Sequence, residues 1–281
     1  MVFHSKKLQR YKKNFLLKML KLVYEQTDFL FGTQAKKDIS FEEWEKITNY
    51  AKLSFSQEGE DRIVKMLLQS EKIVTSDVTY LDIGCNDPVA LNNTFLLSRS
   101  FNVKKGVLVE PNTKLSKQIA KVRPNDIVIN KGVGVVAGEL SYYDFGDHNV
   151  LNTCSDSEKD FIIKQGFPLI GTTKIEIVPI NDLLRTHFPD RRLDFLSIDI
   201  EGQDEEIVKS IDYDFIRPAL ICIETAVYKG GKNDTLPELI KFFKSKGYYL
   251  TADTSLNSIF IDGERSIHKR FLNDLLFTND T

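Results

Sequence analysis

Between residues 78 and 262, short apolar runs alternate with stretches whose apolar residues recur every three or four positions. The first pattern reads as buried strands and the second as helices. Strands are predicted at Val78–Ile83, Gly106–Val109, Asp126–Ile129, Leu193–Ile198 and Ala219–Ile223. A closing pair, Tyr248–Ala252 and Ser258–Asp262, is expected to turn around Asn257. Helices are predicted at Val89–Ser100, Thr113–Val122, Asp204–Ile211 and Leu236–Lys246, and another through Ile63, Val64, Leu67 and Leu68. Strands that alternate with helices predict parallel pairing with right-handed crossovers. Runs apolar on both faces predict helices on both sides. The expected class is α/β, a doubly wound, Rossmann-like, mostly parallel sheet.

Residues 132–190 interrupt the alternation. They hold two expected strands, Glu139–Phe145 and Lys174–Pro179, and a polar helix at Ser157–Lys164, and they read as an inserted lobe for the acceptor. The main domain is placed at 53–263, with a helical extension at 1–52 and a C-terminal helix and tail at 264–281. In the extension, Leu8, Tyr11, Phe15, Met19 and Leu22 form one apolar stripe on an otherwise basic helix. Lys18 and Lys21 interrupt any signal-peptide core. A weaker helical stretch at Phe41–Leu53 contains Trp44, the single tryptophan.

Charge sharpens this division. The net charge is −2, but residues 1–25 carry seven basic side chains against Glu25 alone, leaving −8 on the remainder. The domain is therefore not expected to bind nucleic acid. The apolar stripe needs a cover: the domain itself, a second copy in a homo-oligomer, or an anionic membrane touched peripherally through residues 5–25. With 42% hydrophobic and 28% charged residues, the chain is expected to fold. It has no uninterrupted apolar run near the roughly 20 residues of a membrane span. Three scattered cysteines exclude a disulfide scaffold and a cysteine-rich zinc module. They fit a reducing cytoplasm, with the inner membrane face as the alternative location.

Open parallel sheets bind ligands at the carboxyl ends of their strands. Here those ends are polar: Asp82-Ile83-Gly84-Cys85-Asn86-Asp87, then Glu110-Pro111-Asn112, Asp199-Ile200-Glu201-Gly202, and Glu224. Gly84 allows a tight turn, and Glu110, 26 residues later, could accept both hydroxyls of a ribose. Asn86 occupies the second glycine position of a dinucleotide fingerprint and no third glycine follows, so a pyrophosphate fits poorly. A carboxylate at Asp82, inside the turn, suits a cationic ligand better than a phosphate. S-adenosylmethionine carries ribose, adenine, an ammonium and a sulfonium, and no phosphate. Asp82 and Glu110 could instead only cap helices or hold loop amides.

These residues resemble the FkbM-type S-adenosylmethionine-dependent methyltransferases. The resemblance rests on Ser56-Gln57-Glu58-Gly59-Glu60-Asp61, Tyr80-Leu81-Asp82-Ile83-Gly84, Asn92-Asn93-Thr94, Val109-Glu110-Pro111-Asn112 and Phe195 to Gly202, and covers about residues 53–262. Cys85 stands where the family usually has a small residue. The resemblance implies the class I methyltransferase sheet and S-adenosylmethionine as cofactor. It implies cofactor contacts from Asp82, Gly84, Asn86, Glu110, Pro111 and Asn112. It also implies O-methylation of a hydroxyl, of a sugar or a polyketide-type compound, in a glycan or natural-product pathway.

A sugar hydroxyl is a weak nucleophile at neutral pH, so its methylation gains from a base or a metal. Asp199 and Glu201, at the tip of the fourth predicted strand, are the first candidates, and His148 is the alternative base. Asp199, Glu201 and Glu224 would be the oxygen ligands if Mg²⁺ or Ca²⁺ took part, with the metal-free mechanism preferred. Glu201 and Asp204 could also simply favour the N-terminus of the following helix. Rival readings are a nucleotide-sugar- or nicotinamide-dependent enzyme on the same sheet, or a binding module without turnover.

Overall fold

Strand β1 (Asp77–Ile83) is buried at every residue after Asp77, and its neighbours explain why. On one face, Leu81 and Ile83 join Leu196, Ile198, Ile221, Ile223 and Phe260 in a core closed by Leu183, Leu184, Ile207, Val208, Leu239 and Phe243. On the other, Val78 and Tyr80 join Phe195, Leu220, Cys222 and Ile259 beneath Val64, Leu67, Leu68, Leu97 and Ile119. Alternation along each strand sends successive side chains into these two cores. The computed structural model describes residues 53–146, 151–200, 202–225 and 236–267.

In chain order come α1 (Glu60–Ser70), β1, α2 (Phe95–Ser100), β2 (Asn102–Val109), α3 (Thr113–Val122) and β3 (Ile127–Ile129). Three strands follow, β4 (Gly132–Gly134), β5 (Gly138–Asp144) and β6 (Gly171–Pro179), with α4 (Asp156–Lys164) between the last two. The chain continues through α5 (Ile180–His187), β7 (Phe195–Ile198), α6 (Asp204–Ser210) and β8 (Leu220–Glu224). It closes with α7 (Leu236–Ser245), β9 (Tyr248–Asp253) and β10 (Asn257–Asp262).

The main sheet runs β3-β2-β1-β7-β8-β10-β9. The pairs among β3, β2, β1, β7 and β8 are parallel. β10 is antiparallel to both β8 and β9. The order reverses between β1 and β7, the switch point where such sheets form a ligand crevice. The fold is the expected doubly wound, Rossmann-like sheet.

Two local departures have physical causes. The helix predicted at Val89–Ser100 begins only at Phe95. Asp87 Oδ1 takes the amides of Val89 and Ala90, Asn92 Oδ1 takes those of Thr94 and Phe95, and Leu91 has φ +54°. Short polar side chains have captured the amides that a helix would have used. The pattern does not predict β4, whose Gly132-Val133-Gly134 holds one apolar residue and exists by pairing with Ile177–Pro179 of β6. The helix pattern ahead of His187, which the sequence leaves without bounds, is α5, which starts directly after Pro179 and buries Ile180, Leu183 and Leu184.

A second sheet has the order β4-β6-β5. Residues 143–146 and 151–172 belong to the smaller of two compact units. There Tyr143, Phe145, Leu151 and Phe167 pack with Ile162, and the Ser155 side chain caps α4 on the Glu158 amide. No helix among the described residues is long and apolar enough to cross a membrane. The basic helix expected at 5–25, the Trp44 segment, His148, Glu201 and the tail beyond residue 267 lie outside the described residues.

Candidate active site

The first feature of the site is a turn that admits only glycine. Gly84 has φ +82°, and a Cβ on it would lie 1.7 Å from the Asp199 carbonyl oxygen. The Asp199 amide donates to Ile83 O at 3.0 Å, so the ends of β1 and β7 are locked together here. The next two residues curl toward β2. The amides of Gly84 and Cys85 both donate to Val109 O, and Asn86 adopts φ +53°.

That turn aims a backbone amide at Glu110. Glu110 Oε2 accepts the Asn86 N–H at 2.9 Å and Oε1 accepts the Asn112 N–H at 2.8 Å. Burial pushes its carboxyl up to about 7, against the pull of those two amides, and the charge of Asp82 pushes the same way. Each oxygen keeps a lone pair for a further donor. Asn112 serves as the cap of α3, its Oδ1 accepting the amides of Lys114 and Leu115. The Pro111 carbonyl is held by Asn130 Nδ2.

Asp82 does not lie in the turn, as its sequence neighbourhood suggested, but inside β1. It stands level with Ser197 on β7, which stands level with Cys222 on β8. Thr94 Oγ1 donates to Asp82 Oδ2 at 2.7 Å. Burial raises the Asp82 carboxyl, while Thr94, Arg123 and Ser197 oppose the rise. Asn93 Nδ2 donates to Ser197 Oγ at 3.1 Å, and Asn92 Nδ2 to the carbonyls of Cys85 and Asp87. The Asn92-Asn93-Thr94 motif therefore fastens the 85–94 loop to the sheet.

Asp199 follows β7 directly. Burial pushes its carboxyl up to about 8, and the charges of Asp204, Asp82 and Glu60 add to the rise. Asp204 holds the turn after Asp199, its oxygens accepting the Ile200 and Gly202 amides at 2.9 and 3.1 Å. Asp204 thus opens the following helix, but its side chain holds the turn before that helix rather than capping it. Glu60, which the reading of individual side chains passed over, is fully buried at the start of α1. It accepts from Thr254 Oγ1 at 2.7 Å, Asn257 Nδ2 at 3.0 Å and the Glu58 amide at 2.9 Å. Burial would raise Glu60, but those hydrogen bonds win and hold it below the usual range. Asn257 stands opposite Glu224 across β8 and β10, and its Oδ1 is buried with no hydrogen bond. Only the Ser56–Asp61 motif hinted at Glu60. Asn257 gave no signal beyond its place in a turn.

The carboxyl ends of β1 and β7 therefore face a group of mutually repelling carboxylates: Asp82, Asp199, Asp204 and Glu60. Among the described residues, no set of three or more His, Cys, Asp or Glu could hold a metal ion. Of the expected site residues, the structure brings together Asp82, Gly84, Asn86, Glu110 and Asp199, with Pro111 and Asn112 behind Glu110. Glu224 ends β8 beyond them. His187 lies at the end of α5, where its carbonyl accepts from Lys105.

Glu110 and Asp199 bind protons more tightly in the folded chain than carboxyls do in an unfolded one. The stability they contribute is complete at low pH and is lost as pH rises through about 7 and then about 8. Thermal melts are expected to show a falling Tm between pH 6 and pH 9. An unchanged Tm across that range would contradict the burial of these two groups.

Among curated proteins, none matches this sequence. Of solved structures, a methyltransferase FkbM from Methylobacillus flagellatus KT shares 14% identity at a TM-score of 0.42. That match covers 70% of this chain and 47% of the other, so the chain spans about half the length of that protein. An O-methyltransferase from Bacillus cereus, solved in complex with SAH, shares 14% identity at a TM-score of 0.35, covering 84% of this chain and 94% of its own. A TehB-like SAM-dependent methyltransferase from Corynebacterium glutamicum shares 11% identity at a TM-score of 0.35, covering 79% and 95%. The methyltransferase FkbM domain family matches residues 82–250, from Asp82 in β1 into β9. That match spans more than half of the chain and includes Asp82, Glu110, Asp199 and Asp204, so the chain belongs to the FkbM methyltransferase family.

Proposed function

We propose that this protein transfers a methyl group from S-adenosylmethionine to a hydroxyl oxygen, with a sugar as the acceptor class. The carrying observation is the group of buried carboxylates at the tips of β1 and β7, with Glu110 one strand away. Burying like charges is costly unless a cation joins them. The ammonium and sulfonium of S-adenosylmethionine are such cations, and its ribose hydroxyls suit the remaining lone pairs of Glu110. When bound, the cofactor supplies a methyl group activated by positive sulfur.

The protein's part is orientation and proton removal. Glu110 and the Asn86 turn hold the ribose end, and Asp82 holds the charged end near the switch point, beside Asp199. Asp199 then takes the proton of the acceptor hydroxyl. Its pKa of about 8 makes it a stronger base than an ordinary carboxylate once ionised.

Calorimetry tests the cofactor assignment: S-adenosylmethionine is expected to bind and NAD is not. The reverse result would move the protein to the nicotinamide reading. Glu110→Ala is expected to weaken cofactor binding by about 1.5–3 kcal/mol for each hydrogen bond lost. Unchanged affinity in that variant would remove Glu110 from the ribose. Mass spectrometry of products from a sugar panel identifies the acceptor.

A further inference from the structure

The mechanism leaves unused one buried cation. Arg123, at the end of α3, is only 4% exposed. Its Nε donates to Asp126 Oδ2 at 2.7 Å and its Nη2 to Tyr80 Oη at 2.9 Å, while Tyr80 donates to Asp126 Oδ1 at 2.7 Å. Nη1 lies 3.4 Å from Pro88 O, Asn92 Oδ1 and Thr94 Oγ1. The guanidinium stacks over the rings of Tyr80 and Phe95. Gly106 leaves room for this arrangement, since a Cβ there would meet Asp126 Oδ1 at 2.1 Å and the Tyr80 ring at 2.6 Å.

Arg123 thus joins the end of α3 to the 85–94 loop, and through Thr94 to Asp82. A fully buried guanidinium is costly, and Asp126 supplies one compensating charge. The groups facing Asp82 are Thr94, Arg123, Ser197 and Asp126, with Cys85, Glu110, Asp199 and Cys222 also within its field. Arg123 is the cation in that set.

We infer that Arg123 is a positioning residue for the cofactor site. It fixes the loop that presents the Asn86 amide to Glu110, and through Thr94 it sets a positive charge behind Asp82 that favours the ionised form a cationic cofactor needs. The inference rests on the S-adenosylmethionine reading. Burial already favours the neutral form of Asp82, and Arg123 is among the groups that oppose it.

The test is calorimetric titration with S-adenosylmethionine at pH 6 and pH 8.5. If the wild-type protein does not bind, the cofactor reading itself fails and the inference goes with it. Given wild-type binding, Arg123→Met is expected to bind at least tenfold more weakly at pH 6, with a smaller deficit at pH 8.5, where more of Asp82 is ionised. Arg123→Lys, which keeps the cation, is expected to restore the wild-type pH dependence. An equal deficit at both pH values would reduce Arg123 to loop packing and overturn the inference, as would unchanged affinity. Should Arg123→Met fail to melt cooperatively, Asp82→Asn in the wild-type background carries the test. It is expected to lose at least tenfold at both pH values without recovery, and wild-type affinity there would overturn the inference.

Discussion

Asp199→Asn is expected to lower turnover by about 10²–10⁴-fold, the usual range for removing a general base. The amide keeps the size of the carboxylate, so the Gly84–Asp199 backbone contact and the fold should persist. The loss should fall on kcat, because a base acts in the reacting complex more than in binding. The wild-type pH profile gives an independent check. Asp199 must be ionised to act, and its carboxyl sits at about 8 in the ligand-free protein. The value of kcat/KM should therefore rise with pH and level off above about 8, while activity is lost on the acid side. Chelator is expected to leave the rate unchanged if Asp199 works as a base alone. Loss of activity to chelator, restored by Mg²⁺ or Ca²⁺, would favour the metal reading. A wild-type rate in Asp199→Asn would shift the base to another residue, His148 being the next candidate.

Gly84→Ala is expected to produce the largest loss of stability. Two costs add at this position. An L residue in the left-handed region costs about 1–2 kcal/mol. The added methyl also meets the Asp199 carbonyl, part of the backbone that joins β7 to the site, at 1.7 Å. No side chain can swing aside to relieve it, and overpacking of this kind costs about 1–3 kcal/mol. A total near 3 kcal/mol corresponds to a fall in Tm of roughly 6–12 °C for a domain of this size. The variant should also lose cofactor binding, because relief requires the ends of β1 and β7 to separate. A melt within 2 °C of wild type, roughly the shift from half a kcal/mol, would show that the turn relaxes without cost.

Both predictions concern positions that local pattern singles out. Gly84, Glu110 and Asp199 follow short apolar runs, Asp82 lies near the end of one, and a parallel sheet collects its strand ends at one edge. Position along the chain was therefore enough to group them. The strands themselves were legible for the same reason: a segment buried on both faces must be largely apolar, as β1, β7 and β8 are despite Thr79, Asp82 and Ser197. Boundaries failed where side chains overrode periodicity. The 85–94 segment has helical spacing, but Asp87 and Asn92 take its amides and delay the helix to Phe95.

What the sequence by itself determined was the sheet, its crevice and the acids at the crevice, because each depends on local periodicity and on which residue ends a strand. Tertiary structure alone decided how those acids are held and charged. Glu60 meets Thr254 and Asn257 across 194 and 197 residues, and Arg123 reaches Tyr80 across 43. Nothing in local spacing encodes such meetings, since they arise when separate elements pack on one face of the sheet. The raised carboxyls of Asp199 and Glu110 belong to the same category. Burial and neighbouring charge set a proton affinity, and both come into existence only when the chain has folded.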